Sequence, residues 1–241
     1  VLRDVLDEKD SDQRTPRDPN EKAATAGLGP RHRIRAGSRI DYVVAFQNVP
    51  TASAPAQEVF VADDLDPSLD ASTLELRDAG WASTVVPAPA ATRAFQERVA
   101  IRDWRPNDLR PWWVDLSAGE SGPGRLRWTF RTLDPETGDL PEDAMAGFLP
   151  PDDATGHGKG WVSFSVRTKT GLPPGTRIVN SATIVFDTEA PITTNEVFHT
   201  IGLSGDVNDD GVVNPADVFY LVHHFYSAGP EPLGVADVNA D

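Results

Sequence analysis

The chain has 241 residues, a formal net charge of −15 and no cysteine. That excess of negative charge repels nucleic acid and anionic membrane surfaces and attracts divalent cations. The missing cysteines exclude disulfides and thiolate metal sites. Six Trp and ten Phe supply material for a sizeable core, and no apolar run approaches the ~18 residues that a membrane-spanning helix needs. The chain starts Val1-Leu2-Arg3 rather than Met and stops inside a repeated pattern, which reads as a piece of a longer protein.

Residues 1–24 are rich in charge and carry no apolar period, as expected of a linker or the tail of a preceding module. From about Ala26 the period becomes two. Ile40, Tyr42, Val44 and Phe46 share one face. So do Leu74 with Leu76, Val99 with Ile101, Leu126 with Trp128 and Phe130, and Val162 with Phe164 and Val166. Ile178, Ala182, Ile184 and Phe186 continue the pattern, interrupted by Asn180. Alternation of this kind marks strands with one buried and one wet face. Turn clusters separate them at Asp66-Pro67-Ser68, Ala118–Gly124, Pro150–Asp153 and Leu172–Gly175. The pattern predicts a mainly β domain over residues 25–203, an antiparallel β-sandwich of about eight to ten strands.

Residues 204–241 change character. Counting from Asp206, oxygen-bearing side chains fall at positions one, three, five, nine and twelve: Asp206, Asn208, Asp210, Asn214 and Asp217. Gly211 stands at six, and Val212 at seven offers its carbonyl. This is the ligand register of a calcium loop, in which alternate residues of a tightly curled segment share one hard cation. Asn214 then caps a helix, Pro215 suits its first position, and Val218, Leu221, Val222 and Phe225 make an amphipathic stripe. The pattern restarts at Asp237, Asn239 and Asp241.

Other candidate chemistry has simpler explanations. Ala62–Asp70 spaces carboxylates like a second cation site but reads better as a strand end and an Asx/Pro turn. Gly156-His157-Gly158-Lys159-Gly160 lacks the Ser/Thr and helix that a phosphate loop needs. The five histidines make no zinc-type pair, and no paired-carboxylate or nucleophile signature stands out, so no catalytic residue is assigned. Trp112 and Trp113 point to opposite faces of one strand, and an exposed one could stack on a sugar.

Two resemblances follow. The restarted loop–helix pattern of Gly205–Asp241 resembles the first half of a type I dockerin, which implies an EF-hand-like calcium loop–helix that docks on a cohesin. Its implied calcium ligands are Asp206, Asn208, Asp210, Val212, Asn214 and Asp217, with Asp237, Asn239 and Asp241 from the second loop. Calcium would neutralise the loop carboxylates and present Phe219, Tyr220, His223 and His224 to the cohesin-like partner. Pro215 and Ala216 depart from the hydroxyl pair of many such modules. Upstream, Asp18–Lys22, Ala54–Val59, Gly147–Pro151, Gly171–Thr176 and Asn180–Asp187 resemble immunoglobulin-like conserved-repeat modules of bacterial secreted and surface proteins. That resemblance implies a non-catalytic spacer or adhesion module outside the cell. The alternative expectation is a carbohydrate-binding accessory to a polysaccharide-degrading enzyme.

Overall fold

The computed structural model describes residues 20–102, 104–105 and 110–236. Fourteen strands run in order: β1 (Lys22–Ala24), β2 (Arg33–Ile34), β3 (Arg39–Gln47), β4 (Glu58–Asp64), β5 (Leu69–Trp81), β6 (Thr84–Val86), β7 (Phe95–Arg102), β8 (Pro111–Gly122), β9 (Arg125–Leu133), β10 (Lys159–Thr168), β11 (Arg177–Asn180), β12 (Ala182–Phe186), β13 (Ile192–Thr193) and β14 (Val197–Ile201). One helix, α1 (Pro215–Ser227), follows. It is too short to cross a membrane, and no helix among the described residues is long and apolar enough to do so.

The strands form a five-stranded sheet, β1-β3-β10-β5-β6, a six-stranded sheet, β13-β12-β4-β9-β8-β7, and a small sheet, β11-β14-β2. Every pairing is antiparallel except β14 with β2. The alternation seen in the sequence becomes the core. Ile40, Tyr42, Val44 and Phe46 of β3 and Val162, Phe164 and Val166 of β10 face Leu126, Trp128 and Phe130 of β9. The two large sheets meet ring on ring: Phe46 lies 5.5 Å from Phe130, and Trp128 lies 5.7 Å from Phe164, between ring centroids. On the outer face of the six-stranded sheet, arginines sit opposite carboxylates on neighbouring strands, as in Arg125 with Asp64 and Arg131 with Glu58.

Four expectations need correction. The sandwich begins before residue 25, because Lys22–Ala24 pairs with β3, Lys22 opposite Val44. A three-residue strand led by a lysine is too short to show a period. The expected turn at Ala118–Gly124 is mostly strand, since β8 runs through Gly122 with one register shift between Glu120 and Gly122. A Cβ on Gly119 would come within 3.3 Å of the Ala94 side chain, so a larger residue there would crowd it. The strand count exceeds ten, because several two- and three-residue strands carry too few residues to alternate visibly. Finally, an EF-hand flanks its loop with two helices. Here the loop runs in from the sandwich, and α1 is the one helix among the described residues.

The cap of α1 does form as its residues dictate. The Asn214 side chain accepts from the backbone N–H of Ala216 at 2.7 Å, and Asp217 completes a capping box. The stripe does not bury. Val218, Val222 and Phe225 are exposed, as is Phe219, and Asp217 is the buried residue of the helix. Asp237, Asn239 and Asp241 lie outside the described residues.

Candidate functional site

The most unusual chemistry in the fold lies inside the sandwich. Three polar side chains occupy inward-facing positions where a hydrophobic residue would ordinarily sit. Asp63 extends the inward series Val59, Val61 of β4, and Asn180 extends that of Ile178 on β11. Lys22 points inward from β1. Their exposures are 1% for Lys22, 1% for Asp63 and 3% for Asn180. Each comes from a different sheet. Asn180 stands where the chain leaves β11 in the small sheet for β12 in the six-stranded one, which is why the alternation breaks there.

The three groups bond only to partners inside the protein. The Lys22 ammonium group Nζ contacts Asp63 Oδ2 and Asn180 Oδ1. Asn180 Nδ2 donates to Asp63 Oδ1 at 3.0 Å and to the Asp64 carbonyl at 3.2 Å. Asp63 therefore bridges the lysine nitrogen and the amide nitrogen with its two oxygens. Aromatic rings line one side: Nζ lies 4.8 Å from the Tyr42 ring centre and 5.2 Å from that of Phe164, and these rings stack at 5.0 Å. The Lys22 backbone is gripped by Asn195, which accepts its N–H at 2.8 Å and donates to its carbonyl at 2.9 Å.

Burial governs the charges. Removal from water pushes Lys22 below its ordinary value, against the pull of the Asp63 charge and hydrogen bond. The same burial pushes Asp63 up, against Lys22 and the Asn180 hydrogen bond. Tyr42 is raised as well, by burial first and then by the nearby Asp63 and Asp66 carboxylates. Both shifts of the pair favour an uncharged amine beside an uncharged acid. Sequence reading missed this trio. The available signal was parity at Asp63 and Asn180, which fall on the inward register of their strands; β1 is too short to show it for Lys22.

The expected calcium-loop residues lie together at the end of the sandwich. Asp206 accepts from the backbone N–H groups of Asp210 at 3.0 Å and Gly211 at 2.9 Å. Asp217 Oδ1 accepts from Val207 at 2.7 Å, and its Oδ2 accepts from Asn214 at 2.9 Å. Burial alone would raise the Asp217 carboxyl, but the N–H donors of Asn214, Val207 and Asn208 hold it below the usual aspartate value. Asn208 and Asp210 bond to each other at 2.9 Å, and Val212 donates its N–H to Asp210. Among the described residues, no three acidic or histidine side chains converge as a metal site. The loop is fastened to the sandwich by Arg33, whose Nε donates to Asp209 at 2.8 Å, and is closed at its base by Gly205, whose N–H donates to the Val235 carbonyl at 2.7 Å.

The four expected partner residues lie on α1 and differ in exposure. Phe219 and His223 are exposed, Tyr220 is partly covered and donates its hydroxyl to the Glu231 carbonyl, and His224 lies near the Gly229 carbonyl. No exposed tryptophan platform forms at the pair: Trp112 is buried, and the Arg98 guanidinium covers Trp113 at 4.6 Å. Gly156–Gly158 is a turn leading into β10, with His157 beside Asp153.

A family model described as a domain of unknown function, DUF7619, matches residues 18–95 and 147–200. No curated protein matches the chain. Solved structures with a similar fold include the N-terminal domain of the Streptococcus gordonii adhesin Sgo0707, at 12% identity and TM-score 0.42 over 76% of this chain and 33% of that one. The full-length major pilin SpaD of Corynebacterium diphtheriae matches at 16% identity and TM-score 0.42, over 81% of this chain and 39% of that one. The group B streptococcus pilus 2b backbone protein matches at 13% and 0.41, over 76% and 57%. The chain spans less than two thirds of the length of each. The family found is not a dockerin, and among the described residues one short helix accompanies the loop. The dockerin resemblance is therefore overturned, and the conserved-repeat resemblance gives way to this family.

Proposed function

The chain belongs to the DUF7619 family, and from that premise we propose that it is a non-catalytic, structural β-sandwich module of a larger secreted or surface-displayed protein. The observation that carries this reading is how the module's first strand is held. Asn195, just before β14, grips the Lys22 backbone from both sides, and His199 of β14 bonds the Thr25 carbonyl at 2.7 Å. Lys22 itself reaches β4 and the end of β11. Ties between the first and last strands suit a unit that must not open when its ends are pulled. The outward carboxylates of β4 are also committed to cross-strand arginines rather than to a common cleft.

Single-molecule stretching of tandem copies tests this. A single high-force unfolding event is expected, falling to lower force in Asn195→Ala. Gradual peeling from the amino end, without a distinct event, would refute it.

A second reading concerns the loop. Asp206 and Asp217 are both 3% exposed, and the ion pairs among the described residues leave them without a cationic side chain. Two buried carboxylates in one small loop favour a divalent cation from solution. We propose calcium, which would draw the Asp206, Asp210 and Asp217 carboxylates from their backbone N–H and side-chain partners onto one ion, with Asn208, the Val212 carbonyl and Asn214. This oxygen-only set suits a hard ion that would neutralise the loop and brace the start of α1. Calorimetric titration should show saturable heat that is lost in Asp206→Ala. No heat at millimolar calcium would sink the proposal.

A further inference from the structure

We infer that Lys22 and Asn180 join covalently, the Lys22 Nζ forming an amide with the Asn180 side-chain carbon and releasing ammonia, with Asp63 moving the protons. The inference bears on the structural-module reading: the bond would shield the chain between Lys22 and Asn180 from a pulling force, so the unfolding event expected above is read in Lys22→Arg, whereas the bond itself is read by mass, without force or calcium.

The geometry supplies every participant. The lysine nitrogen touches the side-chain amide of Asn180 and one oxygen of Asp63. The other Asp63 oxygen lies 3.0 Å from the amide nitrogen that would leave. Nucleophile, electrophile and proton carrier are fixed by three different sheets, so the encounter needs no further ordering. Asn195 fixes the lysine's backbone, and the Tyr42 and Phe164 rings exclude water from one side. An amine attacks only through its free electron pair. The uncharged amine and uncharged acid that burial favours are the reactive forms.

The step balances. The Nζ electron pair attacks Asn180 Cγ, and Asp63 Oδ2 takes a proton from that nitrogen. The Oδ1 side of the carboxyl, holding the acid proton, gives it to Nδ2. The C–Nδ2 bond breaks, ammonia departs, and Asp63 is again an acid. One amine and one primary amide become one secondary amide and ammonia, with no oxidant, reductant or cofactor. Asn180 also lines a surface groove with Ala62, Asp64, Arg125, Val179 and Ser181, which gives the ammonia a way out. An amine that burial strips of its charge is costly to keep out of water. Its conversion to a secondary amide removes that cost, and escape of ammonia makes the reaction one-way.

The bond would link positions 158 residues apart and tie the five-stranded sheet to the small one. The test is the intact mass of the purified full chain under denaturing conditions. The expected value lies about 17 Da, one ammonia, below the sequence mass. Proteolysis should yield one branched peptide pair containing Lys22 and Asn180. Lys22→Arg and Asn180→Ala should show full mass, and so should Asp63→Asn, with β-sheet circular dichroism confirming that it folds. A wild-type chain at full sequence mass overturns the inference and needs no variant to interpret. A deficit of about 18 Da, with Lys22 joined to Asp63 through loss of water, also overturns it, as does a deficit that survives in Asn180→Ala.

Discussion

Replacing Arg33 by Ala should loosen the carboxyl-terminal loop without unfolding the sandwich. Arg33 Nε donates to Asp209 at 2.8 Å with both side chains 11% exposed, and its NH1 group donates to the Ile201 carbonyl at 3.1 Å. A hydrogen bond involving a charged group contributes about 1.5–3 kcal/mol. Breaking a fully buried ion pair costs about 3–5 kcal/mol. The pair is slightly exposed, and Arg31 remains 3.5 Å from Asp209 in the variant, so the lower part of the range applies. The loss is about 3 kcal/mol, or roughly a hundredfold in the opening equilibrium. Hydrogen exchange reads this directly. The N–H groups of Gly205, Leu233 and Gly234, which bond across the base of the loop, should exchange about a hundredfold faster. Those of Tyr42 and Phe164 should not change. Equal acceleration everywhere, or none at Gly205 and Leu233, would refute the idea that this ion pair fastens the loop.

Three further outcomes follow from the same geometry. Gly160 lies against Phe46, and a Cβ there would come within 2.2 Å of the ring. Gly160→Ala should therefore destabilise the sandwich by about 1–3 kcal/mol, seen as a lower urea midpoint with unchanged slope. Asp217 is held below its ordinary value of 3.8. The folded loop then binds fewer protons than the unfolded one, so the stabilisation is complete above the ordinary value and is lost as pH falls through the lowered one. Amide shifts of Val207 and Asn214 should record that loss, and their constancy to pH 2 would contradict it. His199 is buried, which lowers it from 6.5 against the Thr25 hydrogen bond. As pH falls below 6.5 the unfolded chain gains a proton that the folded chain refuses, so stability should decline until the folded value is reached. Urea midpoints at pH 7.5 and 5.5 would show the decline, and His199→Gln should flatten it.

Period-two alternation was enough to place the long strands and their inward faces, because strand geometry sends successive side chains to opposite sides whatever the partner. The cap at Asn214-Pro215 was equally legible, since its hydrogen bonds span only a few residues. The helix stripe shows where such reading ends. Val218, Val222 and Phe225 carry the right spacing, but spacing says nothing about whether another surface covers them, and here they are exposed. The loop pattern was legible too. Its inference to a dockerin failed because a short ligand register does not specify the surrounding helices.

Residue order alone was enough for a mainly β chain, acidic and without cysteine, with an oxygen-rich loop near its end. The meeting of Lys22, Asp63 and Asn180 emerges only from the fold. Lys22 is 41 residues from Asp63 and 158 from Asn180, and contacts at such separation depend on strand order and register between sheets. Each residue alone looks like an ordinary polar position in a charged tail, a strand end or a broken strand. Buried against one another beside Tyr42 and Phe164, they are an amine, an acid and an amide removed from water, and that shared environment creates their chemistry.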